Sequence, residues 1–132
     1  MYLQNASKWH TQSKYYIEAS IAYWHTIKRD TTEKWVHILQ LYNYLLQIEY
    51  SPIAALNRTY ALAKARSYEA ALPAAEKLNL EGNHFYYMLL AELYSHSDPA
   101  NAQAYLQKAL ATAQTESQQK VIKRKLQVYQ TG

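Results

Sequence analysis

Apolar residues recur every three to four positions along most of this chain and almost nowhere alternate, a pattern that predicts helices and no sheet. A first clear helix is expected from about Tyr15 to Arg29, with Ile17, Ile21 and Trp24 on one face. Asp30 and Glu33 have capping-box spacing and open a second helix to about Glu49. There Trp35, Ile38, Leu39, Tyr42, Leu45 and Leu46 form one stripe, and Leu41, Tyr44 and Ile48 a second on the far side. A helix apolar on two sides is sandwiched between neighbours.

Ser51 followed by Pro52 marks the start of a third helix, because a hydroxyl caps free N–H groups and proline has none to satisfy. Behind it Ile53, Leu56, Tyr60 and Ala63 recur at helical spacing, with Asn57 in their midst. An amide buried there needs hydrogen-bond partners. Ala55, Thr59 and Leu62 form a second face of mostly small residues. A fourth helix, Ser67 to Leu78, contains Pro73, and Asn79 to Gly82 breaks the chain. The fifth, about Asn83 to Ser95, is apolar nearly all round and is expected to be the most buried. Asp98-Pro99 repeats the cap-and-proline signal for a sixth, and Thr115 with Gln118 opens a seventh. The first dozen residues are polar around Leu3 and Trp9 and are expected to be the end of a truncated helix. The expected organisation is a poorly defined segment 1–13 and a single helical domain, 14–130.

The connections are short, so successive helices are expected to be antiparallel neighbours. Residues 86–113 fit a tetratricopeptide pattern, with Leu89, Leu90 and Leu93 on the first helix and Ala102, Leu106 and Ala109 as the small-large-small ladder of the second. A weaker unit covers 55–78, and the two are offset by 31 residues, Ala71 to Ala102. The expected fold is all-α, a right-handed stack of antiparallel helix hairpins in a TPR-like solenoid of about seven helices.

Composition narrows the chemistry. The 132 residues suffice for one domain, two glycines exclude a glycine-rich phosphate-cradling loop, and zero cysteines exclude thiolate chemistry. No run approaches the length of a membrane span, and a net charge of +4 is too mild to imply nucleic-acid binding. The fourteen tyrosines are scattered, which favours helix–helix packing over a base-stacking surface. No two of His10, His25, His37, His84 and His96 stand at i,i+4, so no helical zinc motif exists. Neither a catalytic constellation nor a cofactor is expected. Lys120, Lys123, Arg124 and Lys125 crowd the last helix, where a solvated face is favoured over an anion grip. Asn57 and Arg58 read either as a polar lock between helix hairpins, which is favoured, or as part of a binding pocket.

Several segments together resemble one family, the C-terminal tail domain of extracytoplasmic-function (ECF) sigma factors that carry a tetratricopeptide-like extension. The matching residues are Tyr16 to Ala22 with His25, then Trp35 through Leu46, then Ser51-Pro52 with Leu56-Asn57-Arg58. Further on come Asn83-His84-Phe85, Ala91-Glu92-Leu93, Tyr105 with Lys108-Ala109-Leu110, and Ile122 with Leu126. The likeness covers about residues 14–128. Asn83 departs from it where an aromatic is common, and the turn near Ser97 lacks the usual glycine. The resemblance implies a non-catalytic, cytoplasmic regulatory domain in transcription initiation. Its implied partners are the N-terminal sigma core regions of the parent protein and/or RNA polymerase, with no direct nucleic-acid contact and no membrane. The implied structural or interaction residues are Trp35, Asn57, Arg58, His25 and His84. No DNA-binding motif precedes residue 14, so the chain is expected to be an excised tail or a truncated reading frame. The alternative is a free-standing TPR-like scaffold binding a peptide or small ligand in its concave groove.

Overall fold

The computed structural model describes residues 2–130, with side chains at position 9 and from position 11 onward. The side chains of Leu3 and His10 therefore lie outside the described residues. Among the described residues there are seven helices and no strands: α1 (Tyr2–Thr26), α2 (Thr32–Ile48), α3 (Pro52–Ala65), α4 (Tyr68–Leu78), α5 (His84–Tyr94), α6 (Pro99–Thr112) and α7 (Glu116–Gln130). They form two compact units, α1–α3 and α4–α7, divided between Ser67 and Tyr68. Within each unit the helices pack on their sequence neighbours. The division falls inside 55–78, the segment expected from the sequence to be a weaker repeat unit.

The capping residues set most of the boundaries. Ser51 Oγ accepts from the Ala54 N–H at 3.1 Å, and Asp98 Oδ1 from Asn101 at 3.2 Å, each just ahead of a proline in the first turn. Asn83 Oδ1 accepts from both Phe85 and Tyr86, at 2.9 and 3.2 Å. Thr115 Oγ1 accepts from Gln118 at 3.1 Å. Chain reversal between α4 and α5 uses left-handed backbone at Asn79 (φ 47°) and Gly82 (φ 86°), conformations that asparagine and glycine tolerate. Two boundaries differ from expectation. The cap of α2 is Thr31, whose hydroxyl accepts from Lys34 N–H at 3.2 Å, which releases Asp30 for other contacts. And α1 begins at Tyr2, there being no proline or glycine in the first half of unit one to interrupt it.

In the first unit α2 lies between α1 and α3. Its buried residues are Lys34, Trp35, Ile38, Leu39, Tyr42 and Leu45, and they meet Ile21 of α1 and Ala54 and Ala61 of α3. Lys14 of α1 pairs with Glu49 just after α2, while Trp24 stacks on His37 at 4.5 Å, so the two helices run in opposite directions. The second unit is built on α5, where Tyr86, Tyr87, Leu89, Leu90, Ala91 and Leu93 are buried, as expected for its most apolar helix. Phe85 is the exception, 52% exposed. The ladder Ala102, Leu106, Ala109 of α6 is buried at 0, 3 and 0% exposure, its alanines letting α5 approach closely.

One expectation fails in α3. Ile53 is 52% exposed and Asn57 is exposed, whereas Ala54, Ala55, Leu56, Thr59, Ala61 and Ala63 are buried. The apolar stripe read through Ile53 and Tyr60 gave weight to large residues, but the closest helix contact uses the small ones. The buried polar residue is Thr59, 1% exposed, whose hydroxyl donates to Ala55 O at 2.8 Å within its own helix.

Ile38→Ala is expected to lower unfolding free energy by about 2–5 kcal/mol, and Ile53→Ala by less than about 0.5 kcal/mol, measured by urea denaturation. Tyr94 is the second test. Its hydroxyl donates to Glu76 at 2.6 Å, which raises its pKa to about 12. The folded state then holds a proton that the unfolded chain loses above its ordinary value of 10. Stability is expected to be intact below pH 10 and to fall between pH 10 and 12, less steeply in Tyr94→Phe, as followed by denaturation at the two limits.

Candidate functional site

The sequence-predicted residue with the most partners is Trp35, buried at 9% exposure where α1, α2 and α3 meet. Its indole Nε1 donates to Asp30 Oδ1. Tyr60 of α3 meets the ring edge-on at 5.5 Å and His25 of α1 at 5.9 Å. Two ammonium groups lie over the ring, Lys34 at 5.3 Å and Lys64 at 5.8 Å. Lys34 is 8% exposed, and its Nζ donates to the Ile27 carbonyl at 2.8 Å, just past the C-terminal end of α1. A cation is favoured there by the helix dipole. Lys64 completes the ring of contacts through an ion pair to Asp30 at 3.2 Å. The Trp35 hydrogen bond, and then Lys64, hold the Asp30 carboxyl below its ordinary pKa.

Asn57 and Arg58 point to different partners, both on α2. Arg58 Nε donates to Asn43 Oδ1 at 2.9 Å, so the guanidinium meets an amide. Asn57 interacts with the Tyr42 hydroxyl, whose pKa is raised by burial and partly brought down by that amide. Both residues thus tie α3 to α2 inside one hairpin. His84 belongs to the second unit, where its Nδ1 lies 3.1 Å from the Ala109 carbonyl and joins α5 to α6.

His25 and Asn57 share a groove of about 490 Å³ in the first unit. Tyr42 and Leu45 of α2 form its floor. Ala22 and His25 of α1 line one side and Ile53 and Asn57 of α3 the other. Glu18, Lys14 and Glu49 close one end, with Lys14 Nζ 2.8 Å from Glu49 and 3.8 Å from Glu18. The Glu49 hydrogen bond raises the Lys14 pKa. From Lys14 to His25 the groove runs about 16 Å along α1. It offers a floor of Leu45 and the Tyr42 phenol, an ionic end, an imidazole at the other end, and an amide along one side. That is the make-up of a binding cleft.

Sequence reasoning missed Lys14, Glu18, Tyr42 and Glu49 as groove residues, and Asp30, Lys34 and Lys64 as partners of Trp35. Lys14 and Glu18 did carry a signal, an i,i+4 pair of opposite charge. Among the described residues no group of three or more His, Asp or Glu side chains converges as a metal site, and no helix is long and apolar enough to cross a membrane.

Comparison with family models, curated proteins and solved structures finds no match to this chain.

Asn57→Leu is expected to change unfolding free energy by less than about 1 kcal/mol, since the amide is exposed and makes one side-chain contact. Asp30 and Trp35 are expected to couple. A double-mutant cycle of Asp30→Ala and Trp35→Phe, followed by denaturation, should show the double variant less destabilised than the sum of the two single ones.

Proposed function

We propose that this chain is a non-catalytic protein-interaction domain, the C-terminal tail of an ECF-type RNA polymerase sigma factor. It acts in the cytoplasm and tunes transcription initiation by contacting the N-terminal sigma core regions of its parent and RNA polymerase, without touching nucleic acid itself. In this reading the helices are TPR-like hairpins stacked in a right-handed solenoid.

One observation carries the reading. The two segments most like the family, Trp35 through Leu46 and Ser51 through Arg58, make up a single hairpin of α2 and α3, and their shared residues make its contacts. Trp35 meets Tyr60 and Lys64, Asn57 meets Tyr42, and Ser51 caps α3. A family signature concentrated on hairpin-locking residues belongs to an interaction scaffold more than to an enzyme, because catalysis needs groups left free to meet substrate. Sequential pairing of helices within each unit, and the buried small-large-small ladder of α6, agree with a repeat of helix hairpins.

The groove of the first unit favours a second reading, a free-standing scaffold that holds a peptide or small ligand between α1 and α3. A ligand whose affinity drops in Asn57→Ala, with stability unchanged, would support it.

Removal of residues 14–130 from the parent sigma factor is expected to change promoter-specific transcription in vitro by at least about fivefold, equivalent to ~1 kcal/mol of coupling. Polymerase affinity, measured in parallel, should change with it. Unaltered transcription and unaltered affinity would overturn the proposal.

A further inference from the structure

The outer face of α1 has features that a solvated helix surface does not need. Tyr15, Tyr16 and Tyr23 are 70, 69 and 63% exposed, and Tyr44 of α2, beside them, is 58% exposed. Between Thr11 and Thr26 the only charged residues are Lys14 and Glu18, and both line the groove on the other side of the helix. The aliphatic hydroxyls of this face, Ser20 and Thr26, are turned back on their own helix, Ser20 Oγ donating to Tyr16 O at 2.8 Å and Thr26 Oγ1 to Tyr23 O at 2.6 Å. They ask for no polar partner. Exposed aromatic patches without charge mark contact surfaces, and tyrosine is among the residues that dominate such contacts.

We infer that this face is a self-association surface, and that two copies of the chain pair through α1 about a twofold axis. The spacing of large and small residues fits an antiparallel pair. With the axis between Ala19 and Ser20, those two small residues face their counterparts and let the helices come close, while Tyr16 of each copy faces Tyr23 of the other. Tyr16 also forms one wall of an uncharged cleft of about 410 Å³ between α1 and α2, lined by Ile17, Tyr44 and Ile48. The incoming Tyr23 ring has its place there. The self-pairing repeats each contact twice, so one tyrosine pair supplies both ends of the interface.

The available area is small. Rings of this exposure with the small residues between them bury at most roughly 600 Å² per copy and about 1,200 Å² in the pair, the lower bound for a specific interface. Area alone does not fix affinity, and a weak dimer is expected, with a dissociation constant on the order of tens of micromolar. Because the face carries no charge, salt has little to screen. The inference is independent of the sigma-factor reading.

Sedimentation equilibrium of the chain between about 5 and 500 µM tests it, with the whole concentration range set by the expected constant. The mass is expected to rise from 15.4 kDa toward twice that value. Changing salt from about 50 to 500 mM should leave the constant within about twofold. Tyr16→Lys with Tyr23→Lys should weaken pairing at least about 30-fold with helical circular dichroism unchanged, since both rings are exposed. Lys123→Glu on α7 should have no effect. A monomer at every concentration overturns the inference and leaves the face to a helix of another protein. A dimer that persists in the tyrosine double variant, or one that salt dissolves, overturns it equally.

Discussion

The first unit depends on how one indole is held. Trp35 is the point at which the end of α1, the start of α2 and the last turns of α3 come together, and a large ring alone would not orient all three. Asp30 fixes the indole N–H, Lys64 returns from α3 to the same carboxylate, and Lys34 bridges the ring face to the Ile27 carbonyl just past α1. Each polar group in this set satisfies another. A buried ammonium is costly by itself, yet Lys34 has a carbonyl, a π face and a nearby carboxylate to receive its charge. The geometry of the turn between α1 and α2 follows from that arrangement.

The second unit uses tyrosine hydroxyls for similar work. Tyr68 donates to Glu92, Tyr87 to Glu81 and Tyr94 to Glu76, while Tyr94 and Tyr105 stack at 5.8 Å. The abundance of tyrosine noted in the sequence thus has a packing use here: the ring covers a helix contact and the hydroxyl reaches a carboxylate at its edge. Among the described residues, no carboxylate accepts a hydrogen bond from Tyr15, Tyr16 or Tyr23 of α1. That contrast separates the tyrosines that close the fold from those that face outward.

Helical content, the caps at Ser51, Asp98 and Thr115, the burial of α5 and the alanine ladder of α6 were all legible in the sequence. These features depend on local rules: a hydroxyl or amide ahead of a helix, a proline in its first turn, apolar residues at a period near 3.6. Asp30 was misread because Glu33 gives it capping-box spacing, which Thr31, followed three residues later by Lys34, lacks; only the indole across the turn shows where the Asp30 carboxylate goes. Asn57 was misplaced because periodicity ranks residues by hydrophobicity, while α3 packs through its alanines. Of the groove only fragments were legible, the i,i+4 pair Lys14 and Glu18 and the pocket alternative at Asn57, since it joins residues far apart in the chain that share no pattern.

The sequence by itself determined that this chain is helical and where most helices begin, because those properties are written in neighbouring residues. Tertiary structure decided which face of each helix is covered, which polar side chains pair, and that His25 and Asn57 line one cleft while Arg58 turns to α2. Those outcomes depend on contacts between residues far apart in the chain, and their energies compare whole packings in which a small alanine can outrank a large isoleucine.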